Sequence, residues 1–127
     1  MVAVLILPLL AAGALRVDAA ANVVQVPVYA RNGSGEAGTA TLRQRGPDVL
    51  VNVHLAHAPA GPQPIHIHGG TCDAPAAVRW PLTNVMHGSS TTVIHGVKLS
   101  TLLGHGYVLN VHESTMNMGH YVACGPL

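Results

Sequence analysis

The sequence predicts an all-β fold, a Greek-key barrel or sandwich of roughly seven to eight antiparallel strands, and three observations carry that expectation. The composition is poor in large aromatics, with no Phe and one Trp in 127 residues, and favours the Val, Thr, Gly and Pro that suit strands and turns. Short runs with period-two alternation recur along the chain, which is the side-chain periodicity of a strand. Clusters of Gly, Pro, Asn, Asp and Ser separate them, supplying the backbone conformations that turns require.

Taken in order, the chain opens with an apolar run from Val2 to Leu15, interrupted by Pro8 and Gly13 and followed by Arg16, Asp18 and the small residues Ala19, Ala20 and Ala21. This reads as a signal peptide over residues 1–21, cleaved near Ala19 to Ala21, or as an uncleaved N-terminal anchor, since no basic residue precedes the run. It is shorter than the ~20 residues that span a bilayer. An exported, periplasmic or extracellular product with no membrane attachment after cleavage is the expectation, and residues 22–127 form its single β-domain. Strands are expected over Asn22 to Tyr29, Gly38 to Arg43, Val49 to Leu55, Pro64 to His68, Ser90 to Val97, Gly106 to His112 and Gly119 to Cys124. A long connection is expected from Thr71 to Asn84, and a single helical turn over Leu99 to Leu103.

Six Lys and Arg against five Asp and Glu leave a formal charge of +1, so there is no basic footprint for nucleic acid or an anionic membrane surface. No Gly-x-Ser-x-Gly elbow, paired carboxylates or phosphate-cradling loop with its lysine supports hydrolysis or phosphoryl transfer. Cys72 and Cys124 are what an exported domain uses for one disulfide. The competing reading, two thiolate metal ligands, lacks a C-x-x-C spacing and an environment that keeps thiols free.

Nine histidines in a chain with so few other ionisable groups point to metal. In Pro64-Ile65-His66-Ile67-His68, alternation sends His66 and His68 to one face, about 7 Å apart at Cα, and Ile65 and Ile67 to the core. In Val108-Leu109-Asn110-Val111-His112, the same logic places His112 on a polar face at a strand end. Three convergent imidazoles suit copper, zinc or iron.

The segments His66-Ile67-His68-Gly69-Gly70-Thr71-Cys72, Asn110-Val111-His112-Glu113 and Gly119-His120-Tyr121-Val122-Ala123-Cys124-Gly125 resemble the copper-site and disulfide motifs of the copper/zinc superoxide dismutases, in the same order. The resemblance implies that His66, His68 and His112 hold copper, and that Cys72 pairs with Cys124 to tie the long loop to the last strand. It also implies superoxide as a possible substrate. A weaker resemblance is to chordin-type domains, with their similar H-I-H and N-V-H segments. The departures are specific: Asp73 to Asn84 holds no histidine, so a family-type zinc site is not expected. The loop after the third copper histidine shrinks to Ser114 to Met118, which predicts a more open site, and Tyr121 stands where the family places an anion-attracting arginine. Arg79 beside Trp80 is a candidate substitute.

For a fourth ligand, His120 is the first candidate; Met116 and Met118 read first as packing residues at the barrel end and second as thioether ligands that favour Cu(I). His87, His95 and His105 adjoin glycines in turn-like sequence and are expected to meet solvent. His54 or His57 is a candidate for orienting a ligand. The function classes are an exported copper-binding protein for copper handling or redox, a copper-only superoxide dismutase, and a metal-free chordin-type structural domain. A homodimer through a hydrophobic sheet face is compatible with any of them.

Overall fold

The computed structural model describes residues 16–18 and 22–127, and the expected export segment, apart from Arg16 to Asp18, lies outside the described residues. The strands are β1 (Arg16–Asp18), β2 (Val23–Ala30), β3 (Ala37–Arg45), β4 (Asp48–Ala56), β5 (Ile65–Gly70), β6 (Pro75–Pro81), β7 (Ser89–Ile94), β8 (Tyr107–Ser114) and β9 (Asn117–Pro126), with one helical turn, α1 (Leu99–Leu102). They form one antiparallel sheet in the order β6-β5-β8-β9-β2-β3-β4-β7, with β1 added against β2. The sheet curls on itself into a half-barrel, and the non-sequential neighbours β4 with β7 and β5 with β8 are its Greek-key crossovers. Among the described residues no helix is long and apolar enough to cross a membrane.

The alternation in the sequence becomes the division between core and surface. Val24, Val26 and Val28 of β2 are buried while Gln25 and Tyr29 are exposed, and β4 repeats the pattern with Val49, Val51, Val53 and Leu55 inside. Ile65 and Ile67 of β5 and Leu109 and Val111 of β8 complete the inner wall at 0 % exposure. Each such side chain contributes about 1.5–3 kcal/mol through removal from water. The α1 turn drops Leu99 and Leu102 onto the same core, with the backbone N–H of Leu99 donating to Gln44 Oε1 at 2.6 Å.

One expected element differs. The connection from Thr71 to Asn84 carries the edge strand β6, paired with β5 through two register shifts. Its Ala- and Pro-rich sequence has little alternation because it is mostly exposed, and prolines at both ends suit an edge, where a missing N–H leaves no ladder bond unmade. The strand expected to end at Val97 stops at Ile94, where the chain turns through Gly96 at φ +67°.

β9 closes on β2 through only two register pairs, Tyr29 with Cys124 and Ala30 with Ala123. The approach is close enough that a Cβ on Gly125 would lie 2.6 Å from the Pro27 carbonyl oxygen, so glycine is required there. Cys72 and Cys124 form a disulfide with Cα atoms 5.9 Å apart, clamping the segment after β5 to this closing strand. The bridge spans 52 residues, which on the chain-entropy account is worth about 4 kcal/mol. Cys72→Ser is expected to lower the unfolding free energy by that order in a urea titration under oxidising conditions, and an unchanged midpoint would contradict the assignment of the clamp.

Candidate metal centre

β5 and β8 run antiparallel with the register Ile65–Val111, His66–Asn110, Ile67–Leu109 and His68–Val108. Partners across such a pair point to the same side, so the isoleucines and Leu109 and Val111 face the core while His66, His68, Asn110 and His112 share the outer face. His112 comes one step beyond, its N–H donating to the Pro64 carbonyl at 2.8 Å. The expected polar face of β8 is real but covered, because Asn110 and His112 are only 1 % and 3 % exposed.

On that face His66, His68 and His112 bring one ring nitrogen each within 4.8 Å of the others, a group that could hold a metal ion. Imidazole nitrogens bound at about 2.0–2.1 Å stand no more than about 4.2 Å apart across one ion. Three such nitrogens spread evenly around one ion are about 3.5 Å apart, so side-chain movements of about an ångström close the set. The ring orientations are fixed from behind by backbone: His68 Nδ1–H donates to the Ala76 carbonyl at 2.8 Å and His112 Nδ1–H to the Met118 carbonyl at 2.6 Å. Both bonds put the proton on Nδ1 and turn the Nε2 lone pair toward the cluster, as metal-binding histidines require. Among the described residues His68 Nε2 is buried without a hydrogen-bond partner, and His112 Nε2 lies 3.0 Å from His66 Nδ1. An acceptor left unpaired in this way is stabilised when an ion occupies the space before it.

Electrostatics agree with ligation by neutral rings. Burial, then the neighbouring His112 and His68, hold the His66 imidazole below its ordinary value. Burial also lowers His112, opposed by its bond to the Met118 carbonyl and assisted by His68. Tyr121 packs edge-on against the His112 ring at 5.1 Å between centroids. The short loop does not leave the centre bare: His68 and His112 are buried, and only His66 is partly exposed.

The remaining candidates fall elsewhere. His120 lines a neighbouring depression with Glu36, His57, Gln63 and Glu113, outside the three-histidine cluster. Met116 is 93 % exposed on the β8–β9 turn, and Met118 enters the centre through its carbonyl. His54 sits on the exposed side of β4, 3.1 Å from Ser89 Oγ, so the orienting role expected of His54 or His57 belongs to the two carbonyls. His95 meets Asp48 at 3.3 Å, and His87 and His105 are exposed. Arg79 lies over the Trp80 and Tyr107 rings, 5.6 and 5.9 Å from their centroids.

Arg31 is a residue that no motif singles out. It follows β2 two positions after Tyr29, which pairs with Cys124, and so emerges on the face of the disulfide and the histidines. Its half-buried guanidinium donates to the Cys72 carbonyl at 3.4 Å and pairs with Asp73 at 2.6 Å. No family model matches the chain, and no curated protein matches it.

The lowered histidines fix a sign for stability against pH. Below their ordinary value of 6.5 the unfolded chain binds more protons than the folded one. The metal-free protein is therefore expected to hold full stability above about pH 6.5 and to lose it as pH falls through that value toward the lower folded-state values. Urea midpoints between pH 8 and pH 5 test this, and His66→Ala or His112→Ala is expected to flatten the fall; an equally steep fall in both variants would contradict it.

Proposed function

We propose that this chain is an exported copper-binding protein of superoxide dismutase-like fold, holding one copper ion through His66 Nδ1, His68 Nε2 and His112 Nε2, for copper handling or redox. The carrying observation is the pair of tautomers set by the Ala76 and Met118 carbonyls, which leaves the Nε2 atoms of His68 and His112 free of protons within a cluster of three ring nitrogens. A set of three neutral imidazoles takes Cu(II) ahead of Zn(II) by affinity, and among the described residues no carboxylate or thiolate joins it to favour a harder or softer ion. Bound copper supplies one-electron exchange between Cu(I) and Cu(II). The protein's share is to hold the rings neutral, turn their lone pairs inward and shield them with Tyr121. Export to the periplasm or beyond is supported by the disulfide, which suits an oxidising compartment, and by the apolar N-terminal run.

A second reading, a copper-only superoxide dismutase yielding hydrogen peroxide and oxygen, is favoured by Arg31. It supplies a cation on the metal face despite Tyr121, and local positive charge draws small anions to a site. Asp73 at 2.6 Å offsets part of that field, which is why copper handling comes first.

Copper content and superoxide consumption of the reconstituted full chain distinguish the readings. One copper per chain, lost in His112→Ala and with negligible turnover, is the expected result. Fast turnover that depends on His112 and falls with added salt and in Arg31→Gln would establish the dismutase. A wild-type chain that takes up no copper would overturn both and leave a metal-free structural domain of chordin type.

A further inference from the structure

Asn110 occupies the position on β8 directly across from His66 on β5, with Cys124 of β9 on its other side. Alternation puts it two residues before His112 on the same face, while His68 sits diagonally across, beside Val108. Directly opposed Cβ atoms lie about 4.5–5.5 Å apart and diagonal ones within about 7–8 Å. Asn110 therefore lies on the face that carries the three imidazoles, beside His66 and between the levels of His68 and His112, as the floor of the centre.

Its side chain is in an anomalous state. Asn110 is 1 % exposed, and both its Oδ1 and its Nδ2 are buried without a hydrogen-bond partner among the described residues. A carboxamide taken out of water with neither atom bonded is among the most costly arrangements a core can hold. An apolar side chain of the same size would fill the position without that cost, and the adjoining Val108, Leu109 and Val111 show that the strand accepts one. A polar group placed where none of the described residues satisfies it is accounted for by a partner that arrives from outside.

We infer that Asn110 is the fourth ligating residue of the centre, its amide oxygen joining the ring nitrogens of His66, His68 and His112. The inference rests on the proposed three-histidine copper site. An amide oxygen is a neutral, weak donor of the kind found in the axial position of copper centres. It adds no charge to three neutral imidazoles and, as a hard oxygen, favours Cu(II) over Cu(I) where a thioether would do the reverse. This assigns to Asn110 the role for which His120, Met116 and Met118 were the sequence candidates.

The test compares the full chain with Asn110→Leu, Asn110→Val and Asn110→Asp, each metal-free and loaded with copper alone. The metal-free Leu or Val variant is expected to unfold at higher temperature than the wild type, because an unpaired amide has been replaced by an apolar group. Both are expected to bind one copper with an altered Cu(II) electron paramagnetic resonance spectrum and a ratio of Cu(II) to Cu(I) affinity at least tenfold lower. Asn110→Asp, which retains an oxygen donor, restores the Cu(II) preference. A wild type that binds copper while the Leu and Val variants show its spectrum and affinity ratio would overturn the assignment and leave the histidine site standing. Metal-free Leu and Val variants that are both less stable than the wild type would also overturn it, by showing that Asn110 is satisfied within the protein. A wild type that binds no copper would overturn the site and the assignment together.

Discussion

The register of β5 against β8 is the constraint on which the rest of the structure depends. With Ile67 set against Leu109 and His66 against Asn110, one face of the pair closes the hydrophobic core and the other assembles three imidazoles. A slip of one residue would exchange the faces, driving the histidines into an apolar interior and the isoleucines into solvent. Burial of Ile65, Ile67, Leu109 and Val111 therefore fixes the geometry of the centre as well as stabilising the domain. The site needs no dedicated loop, because it is the reverse side of the core.

That economy leaves the metal-free centre in tension with itself. Three rings crowd their nitrogens together, His66 and His112 with lowered proton affinity and His68 and His112 almost fully buried, and Asn110 on the same face has no partner among the described residues. The covalent clamp from Cys72 to Cys124 and the Gly125 approach to Pro27 hold the neighbouring strands in place regardless. Rigid surroundings and an unsatisfied centre are the combination expected where a site is preorganised for something absent from the polypeptide.

Much of this was legible in the sequence, for identifiable reasons. Strands with one buried face, such as β2 and β4, print period-two alternation, and Ile65-His66-Ile67-His68 does so in its sharpest form, with donors on one side and core on the other. Two cysteines in a chain with an export-like start were enough to anticipate one bridge. β6 was not legible, because an exposed edge strand of Pro and Ala has no buried face to write a pattern. The carbonyls of Ala76 and Met118 carry no side-chain signature at all. Arg31 reaches the Cys72 carbonyl only because β2 and β9 meet, a closure between distant segments that local patterning does not encode. Alternation places Asn110 on a polar strand face, but its burial is a tertiary property that strand periodicity does not encode.

The most direct test of the central claim is copper X-ray absorption on the full chain loaded with one equivalent of the metal. The account predicts a first shell of light donors with the multiple scattering of three imidazoles, and loss of that stoichiometric copper signal in His66→Ala. A sulfur-dominated shell, or an imidazole count unchanged by removal of His66, would contradict it.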